Sequence, residues 1–341
     1  MSNTPMNVVV CESPGNLVLA ARSVPVRGAD EVLLRIRRVG ICGTDMHIVR
    51  GTQPYLSYPR VMGHELAGEV VDAGSDPALK AGDIVFVMPY MSCGKCNACA
   101  KGRSNCCANL QVLGVHRDGG LAQYVSVPAR FVRKAEGLTL DQTAMIEFLS
   151  IGAHAVERAA LQAGERILVA GAGPIGLAVS LFAALKGVQI TVMDTRSDRL
   201  EFCRDVIGVQ QTVVAGPQAA SELLSLTDGQ MFDAVFDATG NPAAMRAGFA
   251  YVAQAGRYVL VSIVNAEISF SDPEFHRREM TLLGSRNATF EDVERVMEAM
   301  RAGLIPTERL ASHRARLEQL PEVMPLWMQP DTGVVKALVE C

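Results

Sequence analysis

The run RILVAGAGPIGLAVSLFAALKG, residues 166–187, constrains this chain more than any other stretch. An apolar segment, RILVA, meets the glycines Gly171, Gly173 and Gly176, and a helix-like apolar segment follows. A strand that turns on glycines straight into a helix belongs to a βαβ unit. There the glycines allow a tight turn, close approach of the backbone to a bound phosphate, and close packing of helix on strand. Ile167 to Leu185 carries no charge across 19 positions, a length that hydropathy alone reads as a membrane span. The glycine turn inside it argues for a buried strand and helix start instead, and no membrane association is expected.

The same texture extends beyond that run. RILVAGA, QITVMD, AVFDATG and RYVLVSI are strand-like runs alternating with amphipathic segments such as SDRLEFCRDVIG, the pattern of a parallel sheet covered by helices. Before Glu147 the chain reads differently. EVLLRIRRVG, HELAGEVVDAG, DIVFVMPY and AQYVSVPA are short β-like runs broken at Gly63, Gly68, Gly74 and Gly82, as in a compact β unit. After Gly284 comes a helical segment, FEDVERVMEAMRAG, then a strand-like VVKALVE, expected to pack back on the first domain. At 341 residues, two domains are the natural reading. The expectation is an α/β chain with a β-rich domain over 1–146, completed by 286–341, and a doubly wound parallel sheet over 147–285.

The glycine turn opens a helix whose N-terminus offers free N–H groups to the phosphates of a dinucleotide. Asp194 ends QITVMD, 23 residues after Gly171. A carboxylate there accepts hydrogen bonds from ribose hydroxyls and repels a 2′-phosphate; the plainer alternative is a strand-end turn residue. Arg196 and Arg199 are placed to stack on adenine or to tolerate a phosphate. The candidate nucleotide residues are Gly171, Gly173, Pro174, Ile175, Gly176, Asp194 and Arg199, with NAD preferred over NADP.

Nine cysteines cluster in a way that reads as metal binding in a reducing compartment rather than as a disulfide framework. The segment MSNTPMNVVVCESPG lacks a basic start and a full apolar core, so no signal peptide is expected and the location expected is cytoplasmic. Net charge of −4 and a pI near 5.9 argue against a nucleic-acid partner. In CGKCNACAKGRSNCC, the spacing C-x2-C-x2-C-x7-C lets Cys93, Cys96, Cys99 and Cys107 converge on one tetrahedral zinc as a closed structural site. Cys106 neighbours the proposed fourth ligand and competes with it. Cys11, Cys203 and Cys341 have no partners at ligand spacing.

A second, differently built set begins in GICGTDMH with Cys42, Thr44, Asp45 and His47. It continues with His64 and Glu65 in GHE and with Glu147. A catalytic zinc needs about three protein ligands and an open position. Asp45 is placed to accept the second ring N–H of His64 and fix its tautomer. Singly, a buried cysteine is often packing and a histidine is often satisfied in the core. Together with the closed site and the glycine turn, they point to a zinc enzyme. Whether Glu65, Glu147 or each in turn ligates stays open.

GICGTDMH, YPRVMGHELAGEV, the four-cysteine lobe, GVHRDGGLAQYVSVP, GAGPIG and LLGSRN span nearly the whole chain and together resemble the zinc-dependent medium-chain alcohol and polyol dehydrogenases. The resemblance implies a GroES-like β domain interrupted by a Rossmann domain, with the C-terminal tail returning to the first. It implies two zinc ions per chain. Cys42, His64, Glu65 and Glu147 fall on the catalytic-zinc positions, and Cys93, Cys96, Cys99 and Cys107 on the structural ones. Thr44 and His47 match the proton relay. Glu147 stands where other branches carry a third-ligand cysteine, which implies the sorbitol and threonine dehydrogenase branch. GVHRDGG and GSRNA resemble bacterial sugar-acid 5-dehydrogenases acting on L-gulonate, L-idonate or L-galactonate. A sugar-acid carboxylate wants a cationic clamp, and His116, Arg117 and Arg286 lie in segments that the resemblance places near the cleft; the alternative for Arg117 is a charged turn. A homodimer or homotetramer is implied. The competing classes are a non-catalytic nucleotide-sensing zinc protein and a zinc-ribbon nucleic-acid module.

Overall fold

The computed structural model describes residues 4–341; the first three residues of the expected β-rich domain lie outside them. The chain forms two compact units, one running through Glu147 and resuming at Val293–Cys341, the other Phe148–Asp292.

The first unit is built on a seven-stranded sheet whose centre is Glu31–Ile41. Its alternating apolar residues put Val32, Leu34 and Ile36 wholly out of solvent, the period-two pattern of a strand with one face on the core. Each such side chain stabilises the fold by roughly 1.5–3 kcal/mol. Glu65–Asp72 pairs antiparallel with this strand on one side, with Glu65 opposite Gly40. The C-terminal strand Lys336–Glu340 pairs antiparallel on the other, with Ala337 opposite Ile41. That pairing brings residues from the two ends of the chain to neighbouring positions in one sheet. Gly40 is required there, because a Cβ would overlap the Glu65 side chain.

The second unit holds a six-stranded sheet in the order Gln211–Val214, Gln189–Asp194, Arg166–Ala170, Phe232–Asp237, Val252–Leu260, Thr281–Gly284. Every neighbouring pair is parallel, which makes it a doubly wound Rossmann sheet. The strand order reverses between Arg166–Ala170 and Phe232–Asp237, and ligands of such sheets sit at the carboxyl ends of the strands at that point. Leu168, Phe232, Val235, Val252 and Tyr258 form part of its core, and the buried Tyr258 hydroxyl is satisfied by donating to the Met245 carbonyl at 2.9 Å. The uncharged run around GAGPIG is a buried strand and the eleven-residue helix Pro174–Ala184. Among the described residues no helix is long and apolar enough to cross a membrane.

Candidate metal and nucleotide sites

The cysteine lobe is local. Asn97–Ala100 and Ser104–Cys106 are short helical turns, with Gly94 and Gly102 at positive φ between the cysteines. The thiols of Cys93, Cys96, Cys99 and Cys107 lie within 4.8 Å of one another. Cys96 Sγ is 3.5 Å from Cys99 Sγ and 3.9 Å from Cys107 Sγ. Four sulfurs at about 2.3 Å from a tetrahedral zinc stand about 3.8 Å apart, so this donor set fits the ion. Backbone N–H groups of Lys95 and Cys96 pull the Cys93 thiol down to about 6, favouring the thiolate that binds metal. Cys107 is buried and its sulfur belongs to the four-thiol group, while Cys106 is exposed.

The second set is assembled from distant segments. Cys42 immediately precedes the helix Gly43–Arg50, which carries Thr44 and His47. His64 sits at the start of the strand Glu65–Asp72, and Glu147 in the helix Leu140–Ala159. Donor atoms of Cys42, His64 and Glu65 lie within 4.8 Å of one another. His64, Glu65 and Glu147 are all buried. Burial opposes protonation of His64, yet Asp45, Cys42 and Glu147 raise its pKa well above the ordinary histidine value. A buried imidazole flanked by carboxylates and a thiol suits a bound cation; the Cys, His and carboxylate donors suit zinc.

Glu147 is not part of that three-donor group; its Oε1 accepts the Tyr90 hydroxyl. Burial raises the Glu147 pKa, against the influence of His64. Glu65 has a different companion. The Lys336 ammonium donates to both of its oxygens, at 2.7 and 2.9 Å, and to the Ile41 carbonyl at 3.2 Å. Burial works against the Lys336 charge, but Glu65 and Cys42 hold its pKa above the usual lysine value. Neither Tyr90 nor Lys336 was anticipated from sequence. The one available signal was a lysine inside the apolar strand VVKALVE.

Asp45 plays a different part from the one expected. Its Oδ2 accepts the Cys42 N–H at 2.9 Å and its Oδ1 the Gly63 N–H at 3.2 Å. The His64 Nδ1 stands 3.8 Å from that Oδ1 and has no hydrogen-bond partner among the described residues. Asp45 therefore ties the two ligand loops together by their backbones rather than gripping the imidazole. His47 is exposed, its Nδ1 2.9 Å from Thr52 Oγ1, and Thr44 is half-buried on the same helix.

The substrate candidates divide between the units. His116 is exposed; its Nδ1 accepts the Val112 N–H at 3.0 Å, and its ring stacks with Tyr55 at 6.4 Å. Arg117 is half-buried and directs Nη1 at the Met91 sulfur, 3.4 Å away. Arg286 is exposed on the second unit.

In the second unit Gly171 has φ +98°, and a Cβ there would meet the Ala238 carbonyl. A Cβ on Gly176 would run into the Gly171 carbonyl, so the helix packs directly on the turn. Gly173 stands at the helix N-terminus and Pro174 begins the helix, with Ile175 and Gly176 following. A cavity of about 450 Å³ opens here, lined among others by Gly171, Gly173, Asp194, Arg199, Thr239 and Asn241. Asp194 Oδ2 accepts the Ala172 N–H at 2.6 Å and Oδ1 the Arg196 N–H at 2.9 Å. A carboxylate has about four acceptor positions, which leaves two for ribose hydroxyls. Arg199 Nη1 is 3.9 Å from Asp194 Oδ2.

Residues 28–137 match the alcohol dehydrogenase GroES-like domain and residues 174–302 the zinc-binding dehydrogenase domain. The chain is 42% identical to L-galactonate-5-dehydrogenase of Escherichia coli K12 over 93% of its own length and 94% of the relative's. It is 30% identical to sorbitol dehydrogenase of Bacillus subtilis 168, covering 98% and 97% of the two chains. An alcohol dehydrogenase of Escherichia coli CFT073, solved with NADH, superposes with a TM-score of 0.93 at 28% identity, covering 99% of this chain and 100% of that one. The chain belongs to the zinc-dependent medium-chain alcohol dehydrogenase family, with zinc and NAD as its cofactors.

Proposed function

We propose that the protein oxidises a secondary alcohol of a sugar acid of the L-galactonate, L-idonate or L-gulonate class to a ketone. The observation that carries this reading is the cluster of Cys42, His64 and Glu65, whose donor atoms lie within 4.8 Å of one another, in a chain 42% identical to L-galactonate-5-dehydrogenase. Cys42, His64 and a carboxylate, Glu65 or Glu147, would hold the catalytic zinc; Cys93, Cys96, Cys99 and Cys107 the structural one. Bound zinc supplies Lewis acidity at the substrate oxygen, and bound NAD the hydride acceptor. The Thr44 hydroxyl would accept the alcohol proton as it gives up its own into a relay, and His47, exposed on the same helix, would release a proton to solvent at the end of that relay. Gly171–Gly176 and the helix they open hold the pyrophosphate. Asp194 would accept the adenosine ribose hydroxyls, and Arg199 would stack on the adenine.

Arg117 is the best supported of the three substrate candidates. It makes no ion pair with a carboxylate among the described residues, so its guanidinium keeps donors for a substrate carboxylate. His116 and Arg286 complete the proposed set. A homo-oligomer, dimeric or tetrameric, is supported by the edge strand Thr281–Gly284, which leaves Leu282 exposed at an open sheet edge, a template for pairing with a second copy. Nine free cysteines support a reducing, cytoplasmic location.

The deciding experiment is an NAD-reduction screen over L-galactonate, L-gulonate, L-idonate, hexitols, threonine and simple alcohols. The highest kcat/KM is expected on a sugar acid. A hexitol or threonine turned over faster than every sugar acid would overturn the substrate class.

A further inference from the structure

Two buried carboxylates border the open site, and each has its own tether. Glu65 is gripped by the Lys336 ammonium through both oxygens. Glu147 accepts the Tyr90 hydroxyl through Oε1 alone, and Tyr90 is only 7% exposed. The tethers differ in kind. An ammonium cancels the charge of its carboxylate, whereas a hydroxyl leaves the charge whole and occupies one oxygen. A cation arriving beside Cys42 and His64 therefore meets one compensated carboxylate and one uncompensated.

We propose that Tyr90 is a positioning residue for the open metal site, its hydroxyl fixing the rotation of Glu147 so that Oε2 remains as the oxygen available to the metal. This rests on the reading of Cys42, His64 and Glu147 as zinc-holding residues.

The placement of Tyr90 is well determined by its surroundings. It lies on a two-stranded ribbon, with Tyr90 opposite Val112 and Met91 opposite Gln111. Cys93 and Cys107 stand just past the ribbon's end on its two legs, and the Cys93 N–H donates to Cys107 Sγ at 3.2 Å. The cysteine lobe thus closes the ribbon that carries Tyr90. A register slip of one residue would turn Tyr90 to the other face, and the lobe opposes that slip.

The test is the zinc affinity of the open site, read by competition with a chromophoric chelator on the full chain with the structural site filled, and the visible spectrum of Co2+ placed in the open site. Tyr90→Phe keeps the ring and removes the bond. It is expected to weaken open-site zinc binding about tenfold or more and to shift the Co2+ spectrum. In a Glu147→Ala background the same substitution is expected to change neither readout. Retention of one tightly held zinc and an unchanged urea midpoint report an intact fold; Tyr90→His, which keeps a ring and an N–H donor, gives a second view if the phenylalanine variant folds poorly. It is expected to shift the Co2+ spectrum when Glu147 is present and to leave it unchanged in the Glu147→Ala background. An affinity for Tyr90→Phe within about twofold of wild type, or an equal loss with and without Glu147, overturns the proposal. If the wild-type chain binds two zinc ions and Cys42→Ala only one, such a result removes the role of Tyr90 alone. If the wild type binds a single zinc, the open-site reading falls, and this proposal with it.

Discussion

The first unit holds two candidate metal sites that solve opposite problems. The closed lobe takes four like donors from one short loop, with Cys93, Cys96 and Cys99 half-buried and Cys107 buried. Backbone N–H groups favour the thiolates of Cys93 and Cys96, whereas burial and the neighbouring sulfurs push the Cys99 thiol up to about 11. The open site takes unlike donors from segments up to about a hundred residues apart, buries His64, Glu65 and Glu147 with Cys42 half-buried beside them, and sets against their charge a lysine from the C-terminal strand. A local site tolerates little design beyond spacing. A site assembled across the fold needs partners that hold each donor, and those partners are where its chemistry is adjusted.

Substitutions can break this contrast. The largest effect is expected for Cys42→Ala. Removing a metal ligand should cost more than the roughly 10–100-fold typical of a residue behind a ligand, so kcat/KM should fall by well over 100-fold with the fold intact; steady-state kinetics and circular dichroism check both halves. Next comes Lys336→Met. It strands the wholly buried Glu65 without its counter-charge, at an expected cost of about 3–5 kcal/mol in urea unfolding, and adding Glu65→Gln should recover much of it. Cys96→Ala belongs to the other site. Its first effects should be loss of one zinc and a lower Tm, with activity following only as the lobe fails.

Two smaller effects sharpen the comparison. Asp194→Ser should shift preference toward NADPH by about tenfold, the worth of a charge-assisted hydrogen bond, as read from the ratio of kcat/KM for the two cofactors. Arg117→Ala should raise KM for a sugar acid by up to about tenfold and leave a neutral polyol unaffected; equal effects on both would make Arg117 a turn residue.

The same contrast explains what could be read in advance. The cysteine lobe and the glycine turn are local, so spacing alone pointed to Cys93, Cys96, Cys99, Gly171, Gly173 and Gly176, and to Cys107 with Cys106 as its competitor, and the alternation of strands and helices after Glu147 exposed the parallel sheet. Cys42, His64, Glu65 and Glu147 have no common spacing; donor chemistry beside the closed site and the glycine turn grouped them, and the family resemblance set them on catalytic-zinc positions. Tyr90 carried no signal of its own, and Lys336 only that of a lysine inside an apolar strand. Their roles come from tertiary pairing: Lys336 reaches Glu65 only because the last strand lies against Glu31–Ile41, and Tyr90 reaches Glu147 from a ribbon of two residue pairs. Asp45 was read for the right neighbourhood and the wrong bond, because its oxygens go first to the backbone N–H groups of Cys42 and Gly63.

The measurement closest to the central claim is zinc content per chain, by mass spectrometry of the metal, for the wild type and for Cys42→Ala and Cys96→Ala. Two independent sites require two zinc ions in the wild type and one in each variant, with the Cys42→Ala protein folded and inactive. A wild type with a single zinc, or a Cys42→Ala protein that keeps both, would contradict the division of the first unit into a closed site and an open one.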